Sequence, residues 1–353
     1  MKKTPLEAGF KMPAEWKKHR ATWIGWCSNK NDFPGKIAPI HWVYGEITRK
    51  LIEGGETVAI LVQDEKHQAK AKSVLNKVGA NFDKIEFHQI PHNRGWMRDS
   101  GPMFVKNDET GEIAVIKFSF NAWAKYDDWK LDNQVAIKYA KSNNRKLFEV
   151  EYKGQEVVLE WGAIDVNGAG TLLTTEECLL DYKTQCRNPH LSREDYEQVF
   201  RQNIGATNTL WLYKGIVGDD THGHIDDFCR FVDKKTIVLA EEKNENDPNH
   251  RILEENRERL EGFRLEDGSK VNLVRLPMPA PLIFDGQRLP ASYANFYIAN
   301  ESVLVPTFND ENDRIALGIL AEHFPTRKVV GIHAVDLVWG LGTLHCLTQQ
   351  EPT

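Results

Sequence analysis

The chain has 353 residues, 41% of them hydrophobic and 27% charged, enough for one large domain or two ordinary ones with a substantial core, which excludes disorder as its general state. Lys and Arg number 45 against 51 Asp and Glu, a formal net charge of -6, so no overall positive field would gather nucleic acid or an anionic membrane surface. The stretch MKKTPLEAGFKM opens with two lysines and no apolar run behind them, and no later segment approaches about eighteen uncharged apolar residues, so neither an export signal of that kind nor a membrane span is expected.

Runs rich in Val, Ile and aromatics predict strands over Thr57–Gln63, Lys84–Pro91, Ile113–Phe120, Val157–Val166, Asn208–Ile216, Thr236–Ala240, Lys270–Leu276, Phe296–Thr307 and Lys328–His333. Amphipathic stretches between them predict helices over Ile40–Glu53, Asp64–Val78, Asp132–Lys141, Ser192–Asn203, His250–Glu261 and Asp310–His323. Asp64 and Asp310 stand where caps are wanted, and Ser192 with Asp195 is an acidic relative of the capping box. The charge-dense stretch Lys234–Lys270 reads as a surface loop feeding one solvated helix, because Ile252, Leu253, Leu260 and Phe263 give it an apolar edge. Interleaved strands and helices make this an α/β chain, and no strand is followed by a glycine-rich dinucleotide or P-loop fingerprint. Segments leaving a glycine or small residue into a strand recur as RDSGPMFV, GAGTLLTTEECL, HGHIDDFCRFV, ANFYIANESVLVPTF and GLGTLHCLTQQ, a hint of radial repetition.

The five cysteines, Cys27, Cys178, Cys186, Cys229 and Cys346, are scattered and odd in number, which fits a reducing cytoplasm better than a disulfide framework. Cys346 is the best nucleophile among them, since it follows glycines that allow close backbone approach and precedes a polar Gln-Gln end. In GDDTHGHIDDF, Asp220, His222, His224 and Asp226 occupy alternate positions, which in a strand share one face. That admits an acid/base histidine with a carboxylate, or a divalent-metal site of which at most a pair could chelate together, since same-face neighbours lie about 7 Å apart. In RGWMRDSGPMFV, Asp99 either caps the Gly-Pro turn or presents its carboxylate rigidly to a planar cation.

At these residues the chain resembles the agmatine deiminase and bacterial peptidylarginine deiminase family of guanidino-group modifying enzymes. The likeness runs from MPAEWKKHRATWIGWCSN through RGWMRDSGPMFV, VLEWGAIDVNGAGTLLTTEECLL, GDDTHGHIDDFCRFV and ANFYIANESVLVPTFND to TLHCLTQQEP. It implies a pentein propeller, five ββαβ-type units around a pseudo-fivefold axis, with residues 1–353 as a single catalytic domain. It further implies Cys346 as nucleophile, His224 as general acid/base, Asp99 and Asp226 as the carboxylates gripping the guanidinium, and Glu160 as the residue orienting and charging His224. Trp96 and Asp220 would line the substrate channel, as would His222. The implied reaction is hydrolysis of a guanidino group with release of ammonia through a covalent amidino-cysteine, a thiouronium, with agmatine giving N-carbamoylputrescine in putrescine biosynthesis as first choice. Free or peptidyl arginine, amidine transfer to an amine, an inert cation-binding pentein and a metal-dependent hydrolase on the Asp220, His222, His224, Asp226 cluster are the alternatives. No metal or organic cofactor is needed on this reading; the partner is a small cationic guanidino substrate, with no nucleic acid or membrane and with a homo-oligomer open. Trp161 replaces the first of two family glycines, WGLGT at Trp339–Thr343 is poorer in glycine than usual, and His222 stands where agmatine deiminases commonly have Asp, which would weaken recognition of agmatine's distal amine.

Overall fold

In the computed structural model, which describes residues 3–353, the amino-terminal elements show how sequence becomes packing. The first two residues of the opening stretch lie outside the described residues. Val58–Val62 (VAILV) is buried at every position, as a parallel strand covered on both faces must be. The helix Ile37–Glu53 covers it with Ile40, Tyr44, Ile47 and Leu51, one stripe at helical spacing. The next helix, Glu65–Lys77, is capped by Asp64, whose side chain accepts from the backbone N–H of His67, and it buries Ala71 and Leu75. Ser192 and Asp195 form a full capping box on helix Arg193–Ile204, which ends at Gly205 in the left-handed conformation. Helix Pro248–Gly262 buries Asn249, Leu253, Asn256 and Leu260 along one stripe and turns its charged residues outward.

One sheet pattern occurs in five places. A middle strand pairs antiparallel with the strand before it and, after a helical crossover, parallel with the strand behind it. The middle strands are Ile113–Lys117, Thr171–Thr175, Thr236–Glu241 and Ser302–Thr307, flanked antiparallel by Met103–Asn107, Asp165–Val166, Cys229–Phe231 and Tyr297–Ile298 respectively. Their parallel partners are Leu147–Glu149, Asn208–Leu212, Asn272–Pro277 and Lys328–His333. The fifth unit joins the two ends of the chain: His19–Gly25 pairs antiparallel with the carboxy-terminal Thr348–Pro352 and parallel with Val58–Val62. This is the pentein arrangement; of the recurring strand-exit segments, RDSGPMFV, HGHIDDFCRFV and GLGTLHCLTQQ enter flanking strands, GAGTLLTTEECL enters the middle strand Thr171–Thr175, and ANFYIANESVLVPTF holds one of each.

Three strand expectations are corrected. Of Val157–Val166 only Asp165–Val166 is a strand; Trp161–Ala163 is a 3-10 turn, because the Gly162 N–H goes to a carboxylate rather than a neighbouring strand. Phe296–Thr307 is a hairpin, Tyr297–Ile298 turning back onto Ser302–Thr307. Asp220 to Asp226 is not pleated at all: Gly218, His222 and Gly223 have positive φ of 98°, 67° and 91°, and Asp219 folds the loop by accepting the backbone N–H groups of Thr221, Gly223 and His224. Thr348–Pro352 (TQQEP) escapes any apolar pattern, yet all its residues are buried, and Glu351 takes the Trp23 indole N–H at 2.9 Å and the Arg20 guanidinium at 2.7 Å.

Candidate active site

Each unit sends the short segment just before its first antiparallel strand toward a common centre. Those segments carry Asp99 in the short helix Met97–Ser100, Glu160 and Gly162 at the turn Trp161–Ala163, His224 and Asp226 at Ile225–Asp227, Asn295 before Tyr297–Ile298, and Cys346 in the short helix Leu344–Leu347. The units therefore place polar side chains from distant parts of the sequence in one cluster. Glu160, His224 and Asp226 are fully buried, whereas Asp99 and Cys346 keep 5% and 6% exposure and form the floor of a cavity of about 200 Å³ whose walls include Trp96, Trp123 and Asp220.

Asp99 does not serve as a cap. Its two carboxylate oxygens accept the Trp123 indole N–H at 2.9 Å and the Gly162 backbone N–H at 3.2 Å, both from other units or loops. Burial holds its carboxyl up at about 7, with Asp226 and Glu160 adding to the rise and His224 opposing it. Trp123 is placed by Ala122, Trp123 and Ala124, three successive residues in the left-handed region, a conformation that costs each non-glycine residue about 1 kcal/mol or more and concentrates at functional sites.

His224 lies between two carboxylates, its Nδ1 3.8 Å from Asp99 and its Nε2 3.7 Å from Glu160. Burial works against its charge, but Asp99, Cys178 and Glu160 outweigh that and raise it well above the usual histidine value. Glu160 is itself tied to Arg187 at 3.2 Å; burial would raise its carboxyl, and Arg187 and His224 instead hold it down at about 2. Asp226 accepts from His345 Nδ1 at 2.6 Å through one oxygen, while the other has no hydrogen-bond partner among the described residues. Burial opposes its ionisation and the bonded His345 prevails, so its carboxyl is lowered.

Cys346 Sγ sits 3.8 Å from Asp226 and 3.1 Å from the Asn295 amide nitrogen, whose carbonyl is fixed by the Thr343 hydroxyl at 2.7 Å. Burial, then Asp226, Asp227 and Asp99, push its thiol well above the ordinary value, with the Asn295 donor opposing. Without a cation between those acids the sulfur stays protonated.

The sequence quartet does not form a metal site. Asp220 accepts the Tyr126 hydroxyl at 2.7 Å and pairs with Lys125 at the cavity wall. His222 turns away to Asp181 at 2.9 Å in a separate surface groove, so it is not channel lining, and its replacement of an acid removes no charge from the cavity. Trp161 is equally harmless to the site, because its side chain packs in the core with Ile164 and Val105 and only Gly162 faces Asp99 and His224. Sequence reasoning missed Trp123, Asn295, Asp219 and Arg187 as site residues, none of which carries a motif signal. Cys178, too, is near the site, in the helix Glu176–Leu180 beside Glu160 and His224.

The profile of the family described as Porphyromonas-type peptidyl-arginine deiminase matches residues 11–352. The chain is 34% identical over 376 residues to the agmatine deiminase of Ectopseudomonas mendocina, covering 99% of this chain and 97% of that one. Its structure is similar to that of the agmatine deiminase of Enterococcus faecalis described as catalysing its reaction, with a TM-score of 0.92, 30% identity and coverage of 100% and 98%. It is also similar to a cysteine-to-serine variant of the agmatine deiminase of C. jejuni with substrate bound, at a TM-score of 0.86, 28% identity and coverage of 98% and 96%.

Proposed function

Because this chain belongs to the Porphyromonas-type peptidyl-arginine deiminase family, we propose that it hydrolyses the guanidino group of agmatine to a ureido group with release of ammonia, through a thiouronium on Cys346. The observation that carries the reading is the thiol of Cys346 set among the Asp99 and Asp226 carboxylates at the closed end of a cavity. A guanidinium carbon is a poor electrophile, its charge spread over three nitrogens, so it needs a strong nucleophile and a rigid grip. Asp99 and Asp226 would supply the grip through charge-assisted hydrogen bonds. The bound cation would offset the negative charges that hold the thiol protonated, so substrate itself would promote the thiolate.

The thiol proton passes to solvent as the cation binds, and attack of the resulting thiolate on the guanidino carbon gives a tetrahedral adduct. His224, charged between Asp99 and Glu160, gives its proton to the departing ammonia, and the neutral ring then takes a proton from the water that cleaves the C–S bond. Trp96 and Trp123 line the shaft that would take the alkyl chain. On the cavity wall Asp220 presents a carboxylate beside Lys125, while Arg94 is committed to the buried Asp32 at 2.6 Å and to Asp128 at 2.8 Å and offers no free cation. That wall suits a distal amine better than the α-carboxylate of free arginine. All five cysteines are free, which suits a cytoplasmic enzyme, and no helix among the described residues is long and apolar enough to cross a membrane. Residues 1–353 would act as one catalytic domain that needs no metal or organic cofactor and whose partner is the small cation.

Ammonia release from agmatine, free arginine, methylated arginines and a peptide ending in arginine tests the assignment; agmatine should be preferred, and turnover of arginine alone would overturn the choice of substrate. Asp220→Asn should raise KM for agmatine about tenfold, a loss of roughly 1.4 kcal/mol, with kcat little changed, whereas His222→Ala should leave both within about twofold. A matching loss in both variants would contradict the placement of His222 outside the cavity. On the acid side, Asp99 must be ionised to hold the cation, and burial has raised it to about 7 in the free protein. The kcat/KM profile should therefore steepen by one proton below about pH 7, and a profile with no such break between about pH 5 and pH 8 would show that Asp99 is not the limiting group.

A further inference from the structure

His345 directly precedes the thiol, and its ring turns the opposite way, into a buried chain of charges. Its Nδ1 is 2.6 Å from Asp226 Oδ2 and its Nε2 is 2.8 Å from Glu15 Oε2. Glu15 continues the chain to Arg230 at 2.7 Å, and Arg230 to Asp165 at 3.2 Å. The second oxygen of Glu15 accepts the Ile298 backbone N–H at 2.8 Å. His345, Asp226 and Arg230 are at most 1% exposed and Glu15 is 4% exposed. An ionised carboxylate can only accept hydrogen bonds, so a ring set between two of them donates from both nitrogens and carries a positive charge.

We propose that His345 is a positioning residue for the deimination proposed above, on which this inference rests: a doubly protonated ring clamped between Glu15 and Asp226 that fixes the orientation and negative charge of the Asp226 carboxylate. The need for it follows from what surrounds Asp226. Asp227 beside it, Asp99 from the neighbouring unit and the buried Cys346 all disfavour a second negative charge at this spot. The cations facing it are His345, His224, Arg230 and Arg98. Arg230 is held by Glu15 and Asp165, and Arg98 donates to Gln350 at 2.8 Å and to the His345 carbonyl at 3.2 Å. His224 must give up its proton during each turnover. His345 is thus the permanent counter-charge in direct contact with Asp226. By occupying Oδ2 it leaves Oδ1, which has no hydrogen-bond partner among the described residues, for the substrate. The backbone N–H of His345 is fixed by Asn295 Oδ1 at 3.0 Å, and the same asparagine donates to Cys346, so clamp and nucleophile share one anchor. Glu15, in the amino-terminal MPAEW segment, has its place here: it holds the far side of the ring.

Two readouts test this. In protein labelled with 15N-histidine, the resonance pair that disappears in His345→Gln should show both ring nitrogens protonated at neutral pH. Should His345→Gln not fold, the same pair is identified by its response to Asp226→Asn. In the pH profile of kcat/KM for agmatine, His345→Gln should add one further proton to the acid limb and move its midpoint up by about one to two pH units, because glutamine can donate to Asp226 but carries no charge. Above that limb the variant should recover to within about tenfold of wild type, and its Cys346 should be alkylated by iodoacetamide at the wild-type rate. A neutral His345 ring at pH 7, or a uniform drop at every pH with an unshifted acid limb, would overturn the proposal and leave His345 as packing. Absence of ammonia release by the wild type would instead strike the functional reading, and the nitrogen signals would still decide whether the clamp is charged.

Discussion

Cys346→Ala should abolish ammonia release, lowering kcat by about 10⁴-fold or more, while the variant still folds and binds substrate. The size follows from the chemistry: the flanking acids hold the cation but cannot attack it, and water in their place would be a weak nucleophile against a resonance-stabilised carbon. Folding should be spared, because the change removes only a sulfur atom from the lining of a cavity, and Asn295 keeps its bonds to Thr343 and Asp227. Binding should be spared or improved, since Asp99 and Asp226 remain and no thiol occupies the space beside them. Wild type quenched in acid during turnover should carry on Cys346 a mass gain equal to substrate minus ammonia, and the alanine variant none. Steady ammonia release from Cys346→Ala would remove the covalent mechanism. The free protein should also react slowly with iodoacetamide at neutral pH, because its thiol is protonated, and faster with a cationic haloacetamidine that places a charge where the guanidinium would sit.

What the sequence disclosed was whatever is local. The Asp64 cap, the Ser192 and Asp195 box and the apolar stripe of Ile37–Glu53 depend on residues within a few positions of each other, and all are formed. The recurrent small-residue-to-strand segments were visible for the same reason, and each belongs to one of the units around the site. Alternation failed at Asp220 to Asp226, because period two implies a strand only if the backbone stays extended, and His222 and Gly223 do not. What stayed hidden was pairing across units. Nothing near Trp123 indicates that its indole will hold Asp99, nor near Glu15 that it will meet His345 across 330 residues. The polar strand Thr348–Pro352 can be buried because Trp23 and Arg20 on the adjoining strand, with Arg98 and Arg145 from elsewhere, bring it partners. Such contacts are set by closure of the ring of units, which joins the two ends of the chain, and no window of sequence contains both partners.

Closure of that ring also makes Gly162 a point of no tolerance, and Gly162→Ala should lower kcat/KM by about 10²-fold or more. A Cβ added there would lie 2.5 Å from His224 Nδ1 and 2.7 Å from Asp99 Oδ1, closer than real Cβ contacts allow. Neither neighbour can yield cheaply. Asp99 is tied to Trp123 and to the Gly162 N–H itself, and His224 is enclosed between Asp99 and Glu160, which Arg187 anchors from behind. Either the carboxylate or the imidazole must shift by a large fraction of an ångström. A shift of the carboxylate loosens the grip on the cation and raises KM, whereas a shift of the imidazole misplaces the proton and lowers kcat. Overpacking at a buried turn should cost about 1–3 kcal/mol of stability besides, seen as a lower midpoint of thermal unfolding. The position before it supplies the control: Trp161 already carries a large side chain directed into the core, so Trp161→Phe should cost stability with kcat/KM within about threefold. If Gly162→Ala kept wild-type activity, the close approach of this turn to His224 and Asp99 would be wrong, and with it the alignment of the two residues that the reaction needs.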